Sequence, residues 1–423
     1  MINYKKSLVF LLLPLSVCFS SCGSHCEVVN YEVPKEAVCT LSFFGNKYEA
    51  ANVKVIEDII NGYMEQNQDI SVTYESIRGS GYFDALSNKE QTGNLDDIFM
   101  VDHDTALEFA NNESLADLSE LVEYVPFSDS MLSQMTSGDG SIYWVPATVS
   151  AFGLYCNLDL LHKHGQKVPQ TLEEWKEVCA YFVSKGITPI VANNDISLKT
   201  IVVAVGFYPF YEAGLQQEVF DKINGGEEKL SSYLSDGFAL LREFCDEGFI
   251  DPAQALKTEK IADDLELFVQ GESPFMLTGV WAAGMVKGMK PDFAFRVVPY
   301  PVREDGSVLV INPDVRLSVA AQGENEALAK DFAGYFLKSE NLWRLADNQS
   351  SFCPLDDQYE PSLAEVQEIA EIYKKQEPVI GSDSHMQFPV WELLTDASQR
   401  LLAGKEFGEL MEWMDAQVVK DGE

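Results

Sequence analysis

Short strand-like segments alternate with helix-like segments along the middle of this chain. Residues 40–44 and 70–74 have the apolar, β-branched and aromatic character of strands, and residues 50–66 between them are helix-like. Apolar side chains recur in that helix at three- and four-residue spacing: Val53, Ile56, Ile59, Ile60 and Tyr63. Another strand is predicted at 97–101. This alternation predicts an α/β fold, in which helices cover a parallel or mixed sheet.

The length of the chain indicates two lobes. It has 423 residues, more than the roughly 250–300 at which a single hydrophobic core stops growing. The pattern changes at 142–146 and again at 151–155, where the chain is expected to enter a second lobe. Thr171 is predicted to cap a helix, because Glu174 follows three residues later.

The first 21 residues resemble a secretory signal. Lys5 and Lys6 precede an apolar run at 8–17, and small residues follow. The run is about ten residues long, whereas a membrane-spanning helix needs roughly 20. We therefore expect a cleaved signal at 1–21 and no spanning helix in the mature chain.

A cysteine follows this signal directly. Ser20-Ser21-Cys22 resembles the lipobox of bacterial lipoproteins, which implies that Cys22 is lipidated and anchors the protein to the outer face of the cell membrane. The alternative is an ordinary cleaved signal with an incidental cysteine. Residues 22–39 are expected to form a flexible tether.

Charge and cysteine usage restrict the ligand. The chain has 67 acidic and 30 basic residues, for a formal net charge of −37. This charge repels nucleic acid, which needs clustered cations, and it favours a neutral or cationic solute. The cysteines lack the repeated close spacing of a zinc site, so neither a metal nor another cofactor is expected. A disulfide between Cys26 and Cys39 remains open.

Five local motifs follow one another along the chain, at Asp97–Phe99, Trp144–Pro146, Tyr155–Leu161, Val168–Trp175 and Phe268–Trp281. Taken in order, they are similar to motifs of the extracellular solute-binding proteins of ATP-driven (ABC) importers, specifically the maltose-binding-like, carbohydrate-carrying family 1. The fourth resembles the family's P-x-T-W-x-E helix entry, with Leu at the first aromatic position. The fifth resembles F-x-x-G-x-x-A-M-x-x-x-G-x-W, with Pro-Phe where Ala is usual. Their order, over nearly the whole mature chain, carries the resemblance.

The resemblance implies a two-lobe, periplasmic-binding-protein-like fold of type II, with ligand held in a cleft that closes about a hinge. Each lobe is a mixed sheet flanked by helices. The implied partners are a small solute, most simply a carbohydrate, and the membrane permease of the importer. The protein is expected to act as a monomer without catalysis. The lobes are expected at 40–147 plus 311–345 and at 148–310 plus 346–423, with crossings near 146–150, 301–313 and 343–354.

Tryptophans are the first candidates for ligand contact, because sugar rings present apolar faces that stack on aromatic side chains. The resemblance places a stacking residue at Trp281 and a second one at Trp391. Burial in a core is the alternative for both. Trp144 is a third candidate, which packing at the hinge would also explain.

The polar candidates follow strand ends or lie near a crossing, where open α/β sheets address ligands. They are Asn46, Lys47, Arg78, Asp102, His103, Asp314 and Arg316. A surface turn would equally explain Arg78, and Arg316, if it faces the cleft, would admit an acidic sugar. The run Asp102-His103-Asp104 lacks a third clustered ligand, which disfavours a metal.

Other functions find less support. The sequence has neither a Gly-x-Ser-x-Gly elbow nor His-Glu-x-x-His, and an abundance of acids does not by itself indicate a glycosidase. A binding protein for another solute, such as a peptide or a polyol phosphate, is the main alternative, and a surface glycoside-acting enzyme is a more distant one.

Overall fold

The computed structural model describes residues 26–29, 38–79, 81–375 and 378–421. The signal segment and Cys22 lie outside this part of the chain. The strands are β1 (Cys26–Val29), β2 (Cys39–Gly45), β3 (Ile70–Ile77), β4 (Ile98–Val101), β5 (Val145–Asn157), β6 (Ile190–Val191), β7 (Phe275–Gly279), β8 (Phe295–Val298), β9 (Val310–Val319) and β10 (Val379–Ile380).

The α-helices cover this sheet. They are α1 (Ala50–Gln66), α2 (Gly81–Gln91), α3 (His103–Asn111), α4 (Ser119–Val122), α5 (Asp129–Met135), α6 (Leu158–Lys163), α7 (Leu172–Val183), α8 (Ile196–Glu212), α9 (Gln216–Asn224), α10 (Ser231–Asp246), α11 (Pro252–Ala255), α12 (Asp263–Val269), α13 (Ala282–Gly288), α14 (Glu326–Phe336), α15 (Ser339–Asn348), α16 (Gln367–Lys375), α17 (Val390–Leu402) and α18 (Phe407–Asp421), with a 3-10 turn at Ala364–Val366. Within the described ranges, none of them is long and apolar enough to cross a membrane.

The described strands form one mixed sheet. Its main order is β1-β3-β2-β4-β9-β5-β7-β6, with β10 beside β9 and β8 beside β5. β2 runs parallel to β3 and β4, whereas β9 runs antiparallel to β4 and β5. The mixed sheet predicted from the alternation of segments is therefore confirmed.

Two long strands, β5 and β9, join the two ends of this sheet. β9 pairs with β4 through residues 316–319 and with β5 through residues 310–317. β5 is buried along its whole length and continues beyond that ladder to pair with β7 and β8. A third segment crosses alongside them, where Phe352 pairs with Val149.

One residue of β9 departs from strand geometry. Val315 has a φ of 47°, in the left-handed region that β-branched residues rarely adopt. The ladder with β5 is intact on either side of it, at Asp314 with Thr148 and at Arg316 with Pro146. Such a conformation costs about 1–3 kcal/mol and persists only where its surroundings hold it. The strain lies where β9 passes from its β10 partner to its β4 partner.

The helix signals in the sequence are confirmed. The helix predicted at 50–66 is α1, and the apolar face predicted for it is buried. Thr171 caps α7, where its side chain accepts a hydrogen bond from the Glu174 amide at 3.3 Å. Trp175 on that helix is fully buried.

The predicted tether is not wholly flexible. Cys26–Val29 forms β1, which lies antiparallel to β3 at the edge of the sheet. Two consecutive valines, Val28 and Val29, favour this strand, because valine is a residue type enriched in strands. The rest of the predicted tether, 22–25 and 30–37, lies outside the described residues.

The register of β3 decides the open question about the disulfide. Cys26 lies opposite Ile77 and Cys39 lies opposite Ile70, at the two ends of that strand. The seven steps from residue 70 to residue 77 span about 23 Å, whereas the Cα atoms of a disulfide lie within about 7 Å. The two cysteines are therefore not bridged, and the Cys39 thiol instead lies 3.2 Å from Asn325 Oδ1.

Candidate functional site

Three aromatic side chains, which we call the aromatic wall, come together beside the shared strands. They are Phe152 on β5, Trp281 immediately before α13, and Trp391 in the first turn of α17. The Phe152 ring centroid lies 5.5 Å from the ring centroids of both tryptophans. Phe152 is buried, whereas both tryptophans are partly exposed. The two predicted platforms thus converge on Phe152, which was not among the residues predicted to contact ligand.

Two glycines allow the indole rings to lie this close to the backbone. A Cβ atom on Gly279 would lie 1.9 Å from the Trp281 ring, and one on Gly381 would lie 2.6 Å from the Trp391 ring. Both distances are below any real contact between carbon atoms. Glycine is therefore required at both positions, and each ring rests against main chain rather than against a mobile side chain.

A second group, which we call the polar cluster, consists of Asp102, His103, Asp104 and Arg316. Asp102 is the N-cap of α3, because its Oδ1 accepts a hydrogen bond from the Thr105 amide at 2.8 Å. His103 is buried, and its Nε2 lacks a geometric hydrogen-bond partner among the described residues. Burial, together with nearby Arg316, lowers the pKa of His103 to about 4, so its ring is neutral at neutral pH.

Asp104 is a carboxylate that sequence reasoning did not select. Its Oδ1 is buried and unpartnered in the described part of the chain. Burial, reinforced by Asp102, raises the pKa of Asp104 to about 7, while Arg316 opposes that rise. The charges of Glu392 and Lys199 also act on it, which puts Asp104 within electrostatic range of the helix that carries Trp391. The only signal in the sequence was its position just after a buried strand.

Arg316 is a buried cation at the junction of β9 with β4 and β5. Its guanidinium stacks over the Trp144 ring at 4.4 Å and donates to the Pro313 carbonyl at 3.2 Å and to Ser382 Oγ at 3.3 Å. Its Nη1 has no hydrogen-bond partner in the described ranges. Burial lowers the pKa of Arg316 to about 10, which keeps it charged at neutral pH. Trp144 and Arg316 are both at most 6% exposed, so they pack against each other beside the shared strands.

Four carboxylates compensate the charge of Arg316 through space: Asp102, Asp104, Asp314 and Asp383. Asp383 is fully buried and is held by Tyr211 and His385. None of the four forms an ion pair with Arg316 among the described contacts. Arg316 is thus a buried cation whose charge nearby carboxylates compensate without a direct ion pair among the described contacts.

The remaining polar candidates follow β2, which runs parallel beside β4, or lie on β9 two residues before Arg316. Lys47 Nζ lies 3.2 Å from Asp314 Oδ2, which also accepts from Ser150 Oγ at 2.8 Å. Burial alone would raise the pKa of Asp314, but Lys47 and these hydrogen bonds outweigh it and hold that pKa below its usual range. Asn46 Oδ1 is buried and unpartnered within the described residues. Lys47 and Asp314 thus bind each other, and Asn46 offers an unused acceptor.

Arg78 lies apart from this arrangement. It is exposed after β3, and its guanidinium lies 5.4 Å from the centroid of the Tyr48 ring. This geometry agrees with the surface-turn interpretation, although Tyr48 follows Asn46 and Lys47 directly. A separate pocket of about 390 Å³ is lined by other residues, among them Ser128, Phe352, Asp357, Tyr359 and Tyr373.

Comparison with known proteins identifies the family. Residues 58–376, which are more than half of the chain, match the family described as bacterial extracellular solute-binding protein. The maltooligosaccharide ABC transporter solute-binding lipoprotein of Streptococcus pneumoniae serotype 4 is 22% identical over 249 residues. That match covers 58% of this chain and 56% of the relative, so this chain spans little more than half of the relative's length.

Two solved structures show the same fold. A family 1 extracellular solute-binding protein from Bifidobacterium longum subsp. infantis has a TM-score of 0.72 and 20% identity, covering 90% of this chain and 99% of that one. A sugar transporter from Bacillus licheniformis in complex with stachyose has a TM-score of 0.69 and 18% identity, covering 90% and 100%. The predicted two-lobe fold is therefore confirmed, and the chain belongs to the bacterial extracellular solute-binding proteins.

Proposed function

We propose that this protein captures an uncharged, hydroxyl-rich solute, a sugar or an oligosaccharide, between its lobes and delivers it to the permease of an ATP-driven importer. The observation that carries the proposal is the convergence of Trp281 and Trp391 on Phe152, within electrostatic range of the unpartnered carboxylate of Asp104. Stacking surfaces beside unused acceptors match the apolar faces and hydroxyl rims of sugars.

Unused polar atoms give the proposed ligand its hydrogen bonds. Asn46 Oδ1, Asp104 Oδ1 and Arg316 Nη1 are buried without partners among the described residues. A buried polar atom without a partner costs about 1–3 kcal/mol. Hydroxyl groups both donate and accept, so a sugar is able to satisfy acceptors and donors together. Asp102 and His103 would line the proposed ligand site, and Arg78, Lys47 and Asp314 would border it.

An acidic sugar is a poor candidate for the same site. Arg316 is the cation that would attract it, but four carboxylates already surround that residue. Lys47 is paired with Asp314. A carboxylate on the ligand would add a further negative charge to this cluster, whereas a neutral hydroxyl would not.

The lobes would close about the shared strands. We assign 40–147 plus 311–345 to one lobe and 148–310 plus 346–423 to the other, so that β5, β9 and the segment through Phe352 form the hinge. Val315 supports this assignment, because its strained backbone lies in β9 between the two halves of the sheet. Ligand contacts that only the closed form completes would drive closure by a population shift.

The relatives support the remaining parts of the proposal. The Streptococcus pneumoniae relative is named as a lipoprotein of an ABC transporter that binds maltooligosaccharides. We infer that Cys22 carries a lipid, that the mature chain is anchored on the outer face of the cell membrane as a monomer, and that it binds a permease there. The solute would leave unchanged, since this function needs no catalysis.

A thermal-shift screen tests the proposal directly. Maltotriose, raffinose and stachyose would be compared with free amino acids and short peptides. A ligand at 100 times its Kd adds about 2.7 kcal/mol to the free energy of unfolding. A shift with sugars alone supports the proposal, and recovery of the intact sugar separates binding from hydrolysis. A shift with peptides alone, or cleavage of the sugar, would overturn it.

A further inference from the structure

Lys199 is buried among apolar residues of α8. Its side chain is 2% exposed, and most of its buried neighbours along the helix are apolar. A lysine ammonium is costly to remove from water unless it is paired and hydrogen-bonded. Its contacts therefore indicate what it does.

The ammonium contacts the first two turns of α17 and the N-cap residue of its own helix. Nζ lies 2.7 Å from Asp195 Oδ1, 2.6 Å from Thr395 Oγ1 and 3.2 Å from the Trp391 carbonyl oxygen. The same atom lies 4.3 Å from the centroid of the Trp391 ring. Lys199 thus holds both the main chain and the indole of one residue of the aromatic wall.

The anchors of Lys199 are themselves fixed. Thr395 Oγ1 lies 3.2 Å from Asp195 Oδ1 and 3.1 Å from the Trp391 carbonyl oxygen. Asp195 also pairs with Lys260. Burial raises the pKa of Asp195, but the two ammonium groups outweigh it and hold that pKa below its usual range, so Asp195 stays ionised. The network joins α8 to the start of α17 through charged hydrogen bonds.

We propose that Lys199 is a positioning residue, whose ammonium fixes the indole of Trp391 in the orientation that binds solute. The inference rests on the proposed function and deepens it. Since the ammonium lies against one face of the ring, that face is closed to the solute. A desolvated cation–π contact of this kind favours the rotamer of the tryptophan that keeps the ring against the ammonium.

The positively charged form of Lys199 performs this role. Burial lowers its pKa to about 8, while Asp195 opposes that effect. The other charged groups that act on it are Lys260, from the segment before α12, and Asp104, at the start of α3. Below its pKa, Lys199 is an ammonium. As the pH rises through that pKa the ring loses its cation, so solute affinity falls on the alkaline side.

The test compares Lys199→Met, Trp391→Phe and the double variant with the wild-type protein. The emission of Trp391 is obtained by subtracting the Trp391→Phe spectrum, and its quenching by acrylamide is measured without ligand. Affinity is measured with whichever of maltotriose, raffinose and stachyose binds best. We expect Lys199→Met to shift the Trp391 emission, increase its quenching and raise Kd about tenfold.

Two further measurements separate positioning from simple stabilisation. If Lys199 acts through Trp391, the two substitutions are not additive, and the double variant binds about as weakly as Trp391→Phe. The alkaline loss of affinity, from about pH 7 to about pH 9.5, also disappears in Lys199→Met.

The proposal is overturned if Lys199→Met lowers the melting temperature but leaves the Trp391 signal unchanged, or if its effect on Kd adds fully to that of Trp391→Phe. The spectroscopic measurements need no ligand. If no sugar binds the wild-type protein, the proposed function fails while the quenching comparison still decides whether Lys199 orients the ring.

Discussion

The aromatic wall and the polar cluster are built in opposite ways. Trp281 and Trp391 keep part of their surface open and rest on glycine backbone, so their shape is set before any ligand arrives. His103 and Arg316 are buried, and the cluster keeps polar atoms without partners among the described residues. The aromatic wall is therefore a preformed contact surface, whereas the polar cluster keeps hydrogen-bonding atoms without partners among the described residues, to which we expect a ligand to bind.

This difference predicts which substitutions affect stability and which affect affinity. Removing part of the wall removes contact with the ligand and leaves the fold largely intact. Removing part of the cluster changes the balance of buried charge, which the folded protein experiences with or without ligand. Substitutions in the two groups test this division, from the largest expected change in free energy to the smallest.

Arg316→Met is expected to be the most damaging. It removes the buried cation that compensates Asp102, Asp104, Asp314 and Asp383. Removing this cation leaves the carboxylates without compensation, which is expected to cost about 3 kcal/mol in the free energy of unfolding. Urea denaturation measures that cost. The matched control is Arg344→Met, because that arginine pairs with Asp58 at the surface and should cost at most about 1 kcal/mol. If Arg316→Met and Arg344→Met destabilised the protein equally, the charge of Arg316 would not be compensating buried carboxylates.

Trp281→Ala and Trp391→Ala test the wall. Each is expected to weaken sugar binding by about 2 kcal/mol, or roughly thirtyfold in Kd, because a stacking surface is lost. The measurement is calorimetric titration with the best-binding sugar. Trp343→Ala is the control, since this tryptophan is exposed on α15 and bonds Asp357. Unchanged affinity in both variants would contradict the hypothesis that the sugar stacks on these tryptophans.

The sequence predicted the wall better than the cluster for a physical reason. Trp281 and Trp391 each follow a local signal, a glycine after an apolar strand in one case and a proline-containing loop before a helix in the other. Nearby residues set the direction of such side chains. Their shared contact with Phe152 depends on β5, β7 and α17 meeting, which local patterns do not encode.

The cluster depends on distant partners. Arg316 was predicted as a ligand contact, but its burial over Trp144 follows from the pairing of β9 with β4 and β5. Asp104 was passed over, although its raised pKa and unpartnered oxygen come from the same long-range packing. Burial of a charge depends on tertiary packing, so a single sequence indicates only that charged residues lie near a strand end.

Asp104→Asn tests the cluster with a smaller change. The raised pKa of Asp104, about 7, means that the folded protein binds more protons than the unfolded chain between about pH 4 and pH 7, so stability falls as the pH rises through that window. At pH 8 the asparagine variant is therefore expected to be more stable, by about 1 kcal/mol, in urea denaturation.

The same variant is expected to bind sugar about tenfold more weakly at pH 8, because an ionised carboxylate accepts hydrogen bonds more strongly than an amide. Wild-type affinity should also decline on acidification through about pH 7, and that dependence should vanish in the variant. A variant that lost stability at pH 8, or that kept the acid-side dependence of affinity, would contradict the assigned state of Asp104.

Substitutions of Asp102, with effects no larger than those of Asp104→Asn, decide between two roles for one residue. Its Oδ1 caps α3, so Asp102→Ala is expected to cost about 1 kcal/mol of stability. Asparagine caps nearly as well as aspartate, so Asp102→Asn should restore most of that stability. If Asp102 also accepts from the ligand, the two variants differ in another way, because asparagine restores the cap without restoring the charge. If Asp102→Asn recovers sugar affinity as well as stability, Asp102 acts only as the cap of α3. If Asp102→Asn is stable but binds sugar about tenfold more weakly than the wild-type protein, Asp102 belongs to the ligand site.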